Sequence, residues 1–231
     1  MPAFERAIEI GVDALETDVH LTADGVLIIS PDEDAQRLTG ARLAYAEITL
    51  DDVRRLDAGW GFVAEDGHRP FAGRGIGVPT FEQVLHTFPR VHINVDLKEA
   101  RAIGPMLDLV RQVGAEHRVT IASFDTSTAV RVRRHGYPGE TGLSQGEVAT
   151  LVTLPALLWR QLPFTGNAAQ VPTKQGPLHF DRASFIAKCH AIGLRVDFWV
   201  IDDPGEARRL LDLGADGIMT NDPAAIRPVF T

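Results

Sequence analysis

From about residue 90 onward the chain alternates short β-branched runs with stretches of helical periodicity. VHINVDLK (91–98) precedes RAIGPMLDLVRQVGAEH, VTIASF (119–124) precedes TSTAVRVRRHG, and ETGLS (140–144) precedes EVATLVTLPALLWRQL. AAQVP (168–172) precedes FDRASFIAKCHAIG, LRVDFWVI (194–201) precedes PGEARRLLDLG, and ADGIMT (215–220) precedes PAAIRPVF. Short apolar runs bounded by turn residues predict strands, and 3.6-residue periodicity predicts helices. HAIG and LDLG end on the glycine that a left-handed helix stop favours, and Pro204 and Pro223 suit first-turn positions. Strand and helix in repeated alternation imply a parallel sheet.

Nearer the N-terminus, PAFERAIEIG predicts a helix and ALETDVH a strand. Alternate side chains of a strand leave the same face, so Glu16, Asp18 and His20 form one row while Leu15, Thr17 and Val19 form the other. Asn94, Asp96 and Lys98 make a second polar row on VHINVDLK. Seven parallel strands result, one short of a closed eight-stranded barrel. The expected fold is therefore an α/β, TIM-type (β/α)8 barrel lacking its first strand, which would precede Met1. It is expected as a single domain over 1–231. Residues 40 to about 79 break the alternation and are rich in Gly and turns, so they read as an insertion after the second barrel strand. Such insertions usually sit over the active-site face.

Composition narrows the picture. A length of 231 residues with 45% apolar content suits one large domain. There is no apolar run of membrane-spanning length, and the first residues lack the regions of a secretory signal. No integral membrane association and a cytoplasmic location are expected. The single Cys189 excludes an internal disulfide and is expected to be a buried small apolar residue. A net charge of −8, from 31 acidic against 23 basic residues, disfavours nucleic acid and anionic membrane surfaces as partners. An anionic substrate would need a local attractor.

The two polar rows supply a candidate. A parallel sheet is covered on both faces and normally reads as Val, Ile and Leu, so charged rows on adjacent strands are unexpected. Glu16, Asp18 and Asp96 converging on one spot would repel one another unless a cation joins them, and hard oxygen donors suit Mg²⁺ or Ca²⁺. Lys98 could hold an anionic substrate oxygen. The plainer alternative is a buried Glu16–Lys98 ion pair without a ligand. His20 either contacts substrate or is hydrogen-bonded in place. His86, His117, His135 and His190 fall on helices or at their ends, and His92 starts a strand, the wrong end for catalysis. His68 and His179 are in loops. Trp199 shares parity with Asp197 and either lines the barrel or fills it.

At this point the residues resemble a known family. AFERAIEIGVDALETDVHLTADGVLII, IGVPTFEQVLHTFP, INVDLKE, VTIASFD and HAIGLRVDFWVIDDPGEARRLLDLGADGIMTNDP are similar to the ordered motifs of the glycerophosphodiester phosphodiesterases, over nearly the whole chain. The resemblance implies an α/β barrel with an insertion after its second strand. It also implies hydrolysis of glycerophosphodiesters to glycerol 3-phosphate and an alcohol with a divalent cation. By resemblance Glu16 and Asp18 look like the first two metal ligands and Asp96 takes the place of the third, usually a glutamate. Lys98 matches the phosphate-contacting lysine, and Trp199 an aromatic of a V-x-x-W-T strand in which Val200 replaces threonine.

Two departures bear on catalysis. The family's acid/base histidines belong to an HRG strand, which has no counterpart here, and to an HD motif. In GVLIISPDEDAQRLTG, Asp32, Arg37, Thr39 and Gly40 fall in register while Pro31 stands where that histidine should be. Proline cannot titrate, and loss of one general acid or base costs about 10² to 10⁴ in rate. The leading expectation is a family phosphodiesterase with impaired turnover. The alternative is a noncatalytic protein that holds a metal and a phosphodiester. Self-association through the open barrel edges is a further expectation.

Overall fold

The computed structural model describes residues 1–154 and 164–230. Helix α1 (Pro2–Ile10) stops at Gly11, whose φ of 90° is left-handed. Strand β1 (Ala14–Leu21) turns through Thr22 to Val26 into β2 (Leu27–Ile29), which pairs antiparallel with it, Val19 facing Ile29. The insertion carries short helices α2 (Gln36–Thr39) and α3 (Leu50–Val53), and α4 (Phe81–Thr87) follows it. Thr80 and Gln83 form a capping box at the start of α4.

The alternating half then begins. Strand β3 (His92–Leu97) runs parallel to β1, and β4 (Val119–Ala122) runs parallel to β3, with α5 (Ile103–Val113) crossing between them. Helices α6 (Thr126–Arg134) and α7 (Gln145–Thr153) come next. The predicted helix over EVATLVTLPALLWRQL continues past α7 into 155–163, outside the described residues. Strand β5 (Ala168–Val171) is followed by a two-residue hairpin, β6 (Lys174–Gln175) with β7 (Leu178–His179), and by α8 (Ala183–His190). Strand β8 (Arg195–Phe198), α9 (Pro204–Asp212), β9 (Gly217–Ile218) and α10 (Pro223–Ile226) complete the chain. Pro204 and Pro223 occupy first turns, and Gly193 and Gly214 take positive φ after α8 and α9.

Strands β5, β8 and β9 form a second parallel group. The segment ETGLS, expected as a full strand, is reduced to two parallel single-residue bridges, Thr141 to Ile121 and Gly142 to Ala168. Arg133 borders these bridges: its guanidinium donates to the Gly142 carbonyl (2.6 Å), which is thereby withheld from a further ladder bond, and to the side chains of Thr141 (Oγ1, 3.0 Å) and Glu147 (Oε1, 2.7 Å). Those bridges nonetheless order the strands as β2-β1-β3-β4, then 141–142, then β5-β8-β9. Among the described residues no ladder joins β9 to β1, so the barrel is not closed.

The apolar core follows this division. Leu15, Val19, Ile93, Val95 and Leu97 pack with Phe81, Met106 and Val110 in one cluster, while Val196 and Phe198 pack with Phe185, Cys189 and Leu210 in another. Burial pushes the Cys189 thiol up to about 12, which leaves it an unreactive packing residue. A third, small cluster of Ile28, Ala35, Tyr45, Val53 and Val78 seats the insertion on β2. Among the described residues no helix is long and apolar enough to cross a membrane.

Candidate active site at the carboxyl ends of the strands

The parallel register of β1 and β3 puts Glu16 opposite Asn94 and Asp18 opposite Asp96. Two rows of side chains are thus brought side by side on one face of the sheet. Lys98, just past the end of β3, reaches back between them: its Nζ lies 2.8 Å from Asp18 Oδ1 and 2.5 Å from Asp96 Oδ2. Burial pulls that ammonium down, but the bonds to Asp18 and Asp96 outweigh burial and hold it above the usual lysine value. Burial pushes Asp96 up against the pull of Lys98, and its Oδ1 is buried with no hydrogen-bond partner.

Glu16 lies two residues back along β1, opposite Asn94, and is exposed where β1 opens into a cavity. Desolvation by the surrounding protein, with Asp18 and Asp96 nearby, pushes its carboxyl up to about 7, only partly countered by Lys98. The cavity measures about 1060 Å³, and Glu16, Asp18, Asn94, Asp96, Lys98 and Trp199 all line it. Trp199 stands at the end of β8 with its ring edge-on to Phe124, centroids 5.6 Å apart.

The row on β1 continues to His20, but His20 is 7% exposed and does not line this cavity. Tyr45, from the insertion, stacks over it at 6.4 Å. Burial holds the imidazole below its usual value despite Glu99 and Asp18, and Nε2 has no partner. Pro31 is exposed beside Asp32, which is paired with Arg37 at 2.6 Å. Four of the other histidines are bonded within the protein: His92 to Thr120, His135 to the Arg131 carbonyl, His190 to Asp216, and His68 to Asp66.

Sequence reasoning missed Gln170. Its amide crosses the interior from β5 to donate to Asn94 Oδ1 at 3.0 Å. A polar residue alone in the apolar run AAQVP was the available signal. Among the described residues no group of three or more His, Cys, Asp or Glu side chains is already spaced to hold a metal ion. The Lys98 ammonium instead lies between Asp18 and Asp96. The donor set still fits a hard divalent cation, since Asp18 and Asp96 share one ammonium, Glu16 lines the same cavity and a buried Asp96 oxygen is unpartnered.

An α/β sheet of barrel order, with a carboxylate and lysine cluster at its strand ends, defines the class of protein. The profile of the Glycerophosphoryl diester phosphodiesterase family matches residues 1–225, and the chain belongs to that family. It is 31% identical over 237 residues to the "Probable glycerophosphodiester phosphodiesterase 2" of Mycobacterium tuberculosis, covering 100% of this chain and 84% of that protein. The glycerophosphoryl diester phosphodiesterase domain of another Mycobacterium tuberculosis protein has the same fold, with a TM-score of 0.84 at 17% identity over 98% of this chain and 91% of that one. A phosphodiesterase of Oleispira antarctica, solved with its product sn-glycerol-3-phosphate, superposes with a TM-score of 0.75 at 18% identity, covering 99% and 90%.

Proposed function

We propose that this chain binds glycerophosphodiesters and hydrolyses them to glycerol 3-phosphate and an alcohol, with a divalent cation and at an impaired rate. The observation that carries the reading is Asp18 opposite Asp96 with Lys98 between them, in a cavity that also holds Glu16 and Trp199. Glu16, Asp18 and Asp96 would hold Mg²⁺ or Ca²⁺. When bound, such an ion polarises phosphoryl oxygens and activates the attacking oxygen. Lys98 supplies an ammonium for a phosphoryl oxygen, and Trp199 offers an apolar wall to the rest of the substrate. The product bound by the Oleispira antarctica relative supports the choice of substrate class.

Proton transfer is the weak step. Pro31 has no titratable group, and His20 is buried beneath Tyr45 and does not line the cavity. The Pro31 substitution also favours a second reading, a protein that holds the metal and phosphodiester without cleaving them. Among the described residues β9 pairs only with β8, and β2 covers β1 only at Val19–Leu21, so the backbone left unpaired there supports self-association.

Incubation with glycerophosphocholine and Mg²⁺ or Ca²⁺, with enzymatic detection of glycerol 3-phosphate, tests the two readings. Slow release that Asp18→Ala abolishes supports hydrolysis. Calorimetric binding of glycerol 3-phosphate without any release favours the holding protein. Neither release nor binding would remove the basis for both.

A further inference from the structure

Beneath the carboxylates, the polar interior forms a directed chain. On β8, Arg195 Nε donates to both carboxylate oxygens of Asp197 at 3.1 Å each, and the same guanidinium lies 3.5 Å from Glu140. Asp197 is 5% exposed and stands opposite Gln170 in the register of β5 and β8. An ionised carboxylate only accepts, so it turns the Gln170 amide with its NH₂ end inward. Burial pushes Asp197 up, while Arg195 and that NH₂ pull it back. The same Gln170 Nε2 donates to Asn94 Oδ1 on β3. With Oδ1 taken, Asn94 has only Nδ2 to offer the cavity, at the level of Glu16.

We propose that Gln170, oriented by Asp197, fixes the Asn94 amide so that Nδ2 donates to an oxygen of the bound substrate beside Glu16. The inference rests on the phosphodiesterase reading and adds a specificity contact to it. Its chemistry follows from what surrounds the substrate. Phosphoryl and hydroxyl oxygens entering this cavity meet Glu16, Asp18 and Asp96, all acceptors when ionised, and Lys98 as the neighbouring donor. A reversed Asn94 would add a fourth acceptor to that wall. Which way an amide points is decided by its neighbours, and here Asp197 decides it through Gln170. A run of buried polar side chains is costly to assemble where Val, Ile and Leu would serve packing alone. Asn94 is the substrate contact, and Gln170 and Asp197 are positioning residues.

A double-mutant cycle tests this on the whole chain. Gln170→Met keeps length and volume without the amide, and Asn94→Ala removes the donor. Calorimetry with Mg²⁺ would give the Kd for glycerol 3-phosphate and, in parallel, for inorganic phosphate, and thermal melts would follow stability. Each single variant should weaken glycerol 3-phosphate roughly tenfold, the worth of one hydrogen bond. In the Asn94→Ala background, Gln170→Met should cost nothing further. Equal weakening of inorganic phosphate assigns the contact to a phosphoryl oxygen, and weakening of glycerol 3-phosphate alone assigns it to a glycerol hydroxyl. Additive losses, or an unchanged Kd with a lowered melting point, would overturn the inference while leaving the functional reading intact. A wild type that binds neither ligand overturns both. If Gln170→Met fails to fold, Asp197→Asn lets the Gln170 amide turn and gives the same readout.

Discussion

Asp18 and Asp96 stand directly opposite each other on the parallel pair β1 and β3. Like charges facing across strands destabilise a sheet, and the ammonium of Lys98 between them offsets that repulsion. The Lys98 side chain is 36% exposed, so solvent screens part of the effect. Lys98→Met should cost about 1 kcal/mol and lower the melting point by about 2–4 °C. Mg²⁺ should then raise the melting point of the variant more than that of the wild type, because the ion replaces the lost charge. Differential scanning calorimetry with and without Mg²⁺ reads both numbers. An unchanged melting point in Lys98→Met would sink this account of the cluster.

Glu147 gives a second test, through pH. It caps α7 in a box with Ser144 and pairs with Arg133 at 2.7 Å, both side chains largely covered. Burial raises its carboxyl, but Arg133 and the cap bonds outweigh burial and hold it below the usual glutamate value. A carboxyl depressed in the folded state stabilises above its unfolded pKa, and that contribution is lost as pH falls through the folded one. Glu147→Gln should therefore cost about 1–3 kcal/mol at neutral pH. The gap to wild type should shrink below about pH 4. Urea melts across that range measure it, and a gap independent of pH would rule out the ionic contribution.

The same arginine shows where the sequence stops being legible. The polar rows on β1 and β3 are readable because a parallel sheet is apolar by default and a strand has period two, so Asp18 and Asp96 stand out. Helix ends at Gly11, Gly193 and Gly214 are local backbone events and are equally visible. In ETGLS the Gly142 carbonyl is taken by Arg133, a side chain from another element, and no periodicity reports that. Gln170 meets Asn94 across 76 residues, a contact only tertiary register creates. Parity puts His20 on the row with Asp18, but its cover, Tyr45, comes from the insertion, whose path the turn-rich sequence leaves open.

The seating of that insertion is testable at Gly40. Its φ of 80° disfavours any side chain, and an added Cβ would lie 3.0 Å from the Trp60 ring, over which Arg69 is also placed, 3.6 Å from the centroid. Gly67 has a φ of 84° with nothing within 4 Å. Gly67→Ala should carry the backbone cost alone, about 1 kcal/mol. Gly40→Ala should cost about 1–2 kcal/mol more, because Trp60 must shift as well. Urea denaturation of the two variants isolates the Trp60 contact by difference. Equal losses would mean that Trp60 yields freely and does not clasp the insertion.

Catalysis provides the last test, at Pro31. Proline carries no titratable group, and the neighbouring Asp32 is held in an ion pair with Arg37. Against a family member with histidine at the position of Pro31, turnover of glycerophosphocholine by this chain with saturating metal should be lower by about 10² to 10⁴. Pro31→His alone should restore little, because one titrating group cannot both accept a proton from the nucleophile and supply one to the leaving alkoxide in the same step. Burst and steady-state assays on the three proteins follow the effect. Fast, metal-dependent turnover by the unmodified chain, lost in Asp18→Ala, would contradict the prediction. It would direct attention to His20, where a His20→Gln variant that retained the pH dependence of the rate would exclude that imidazole and one that lost it would assign the proton transfer there.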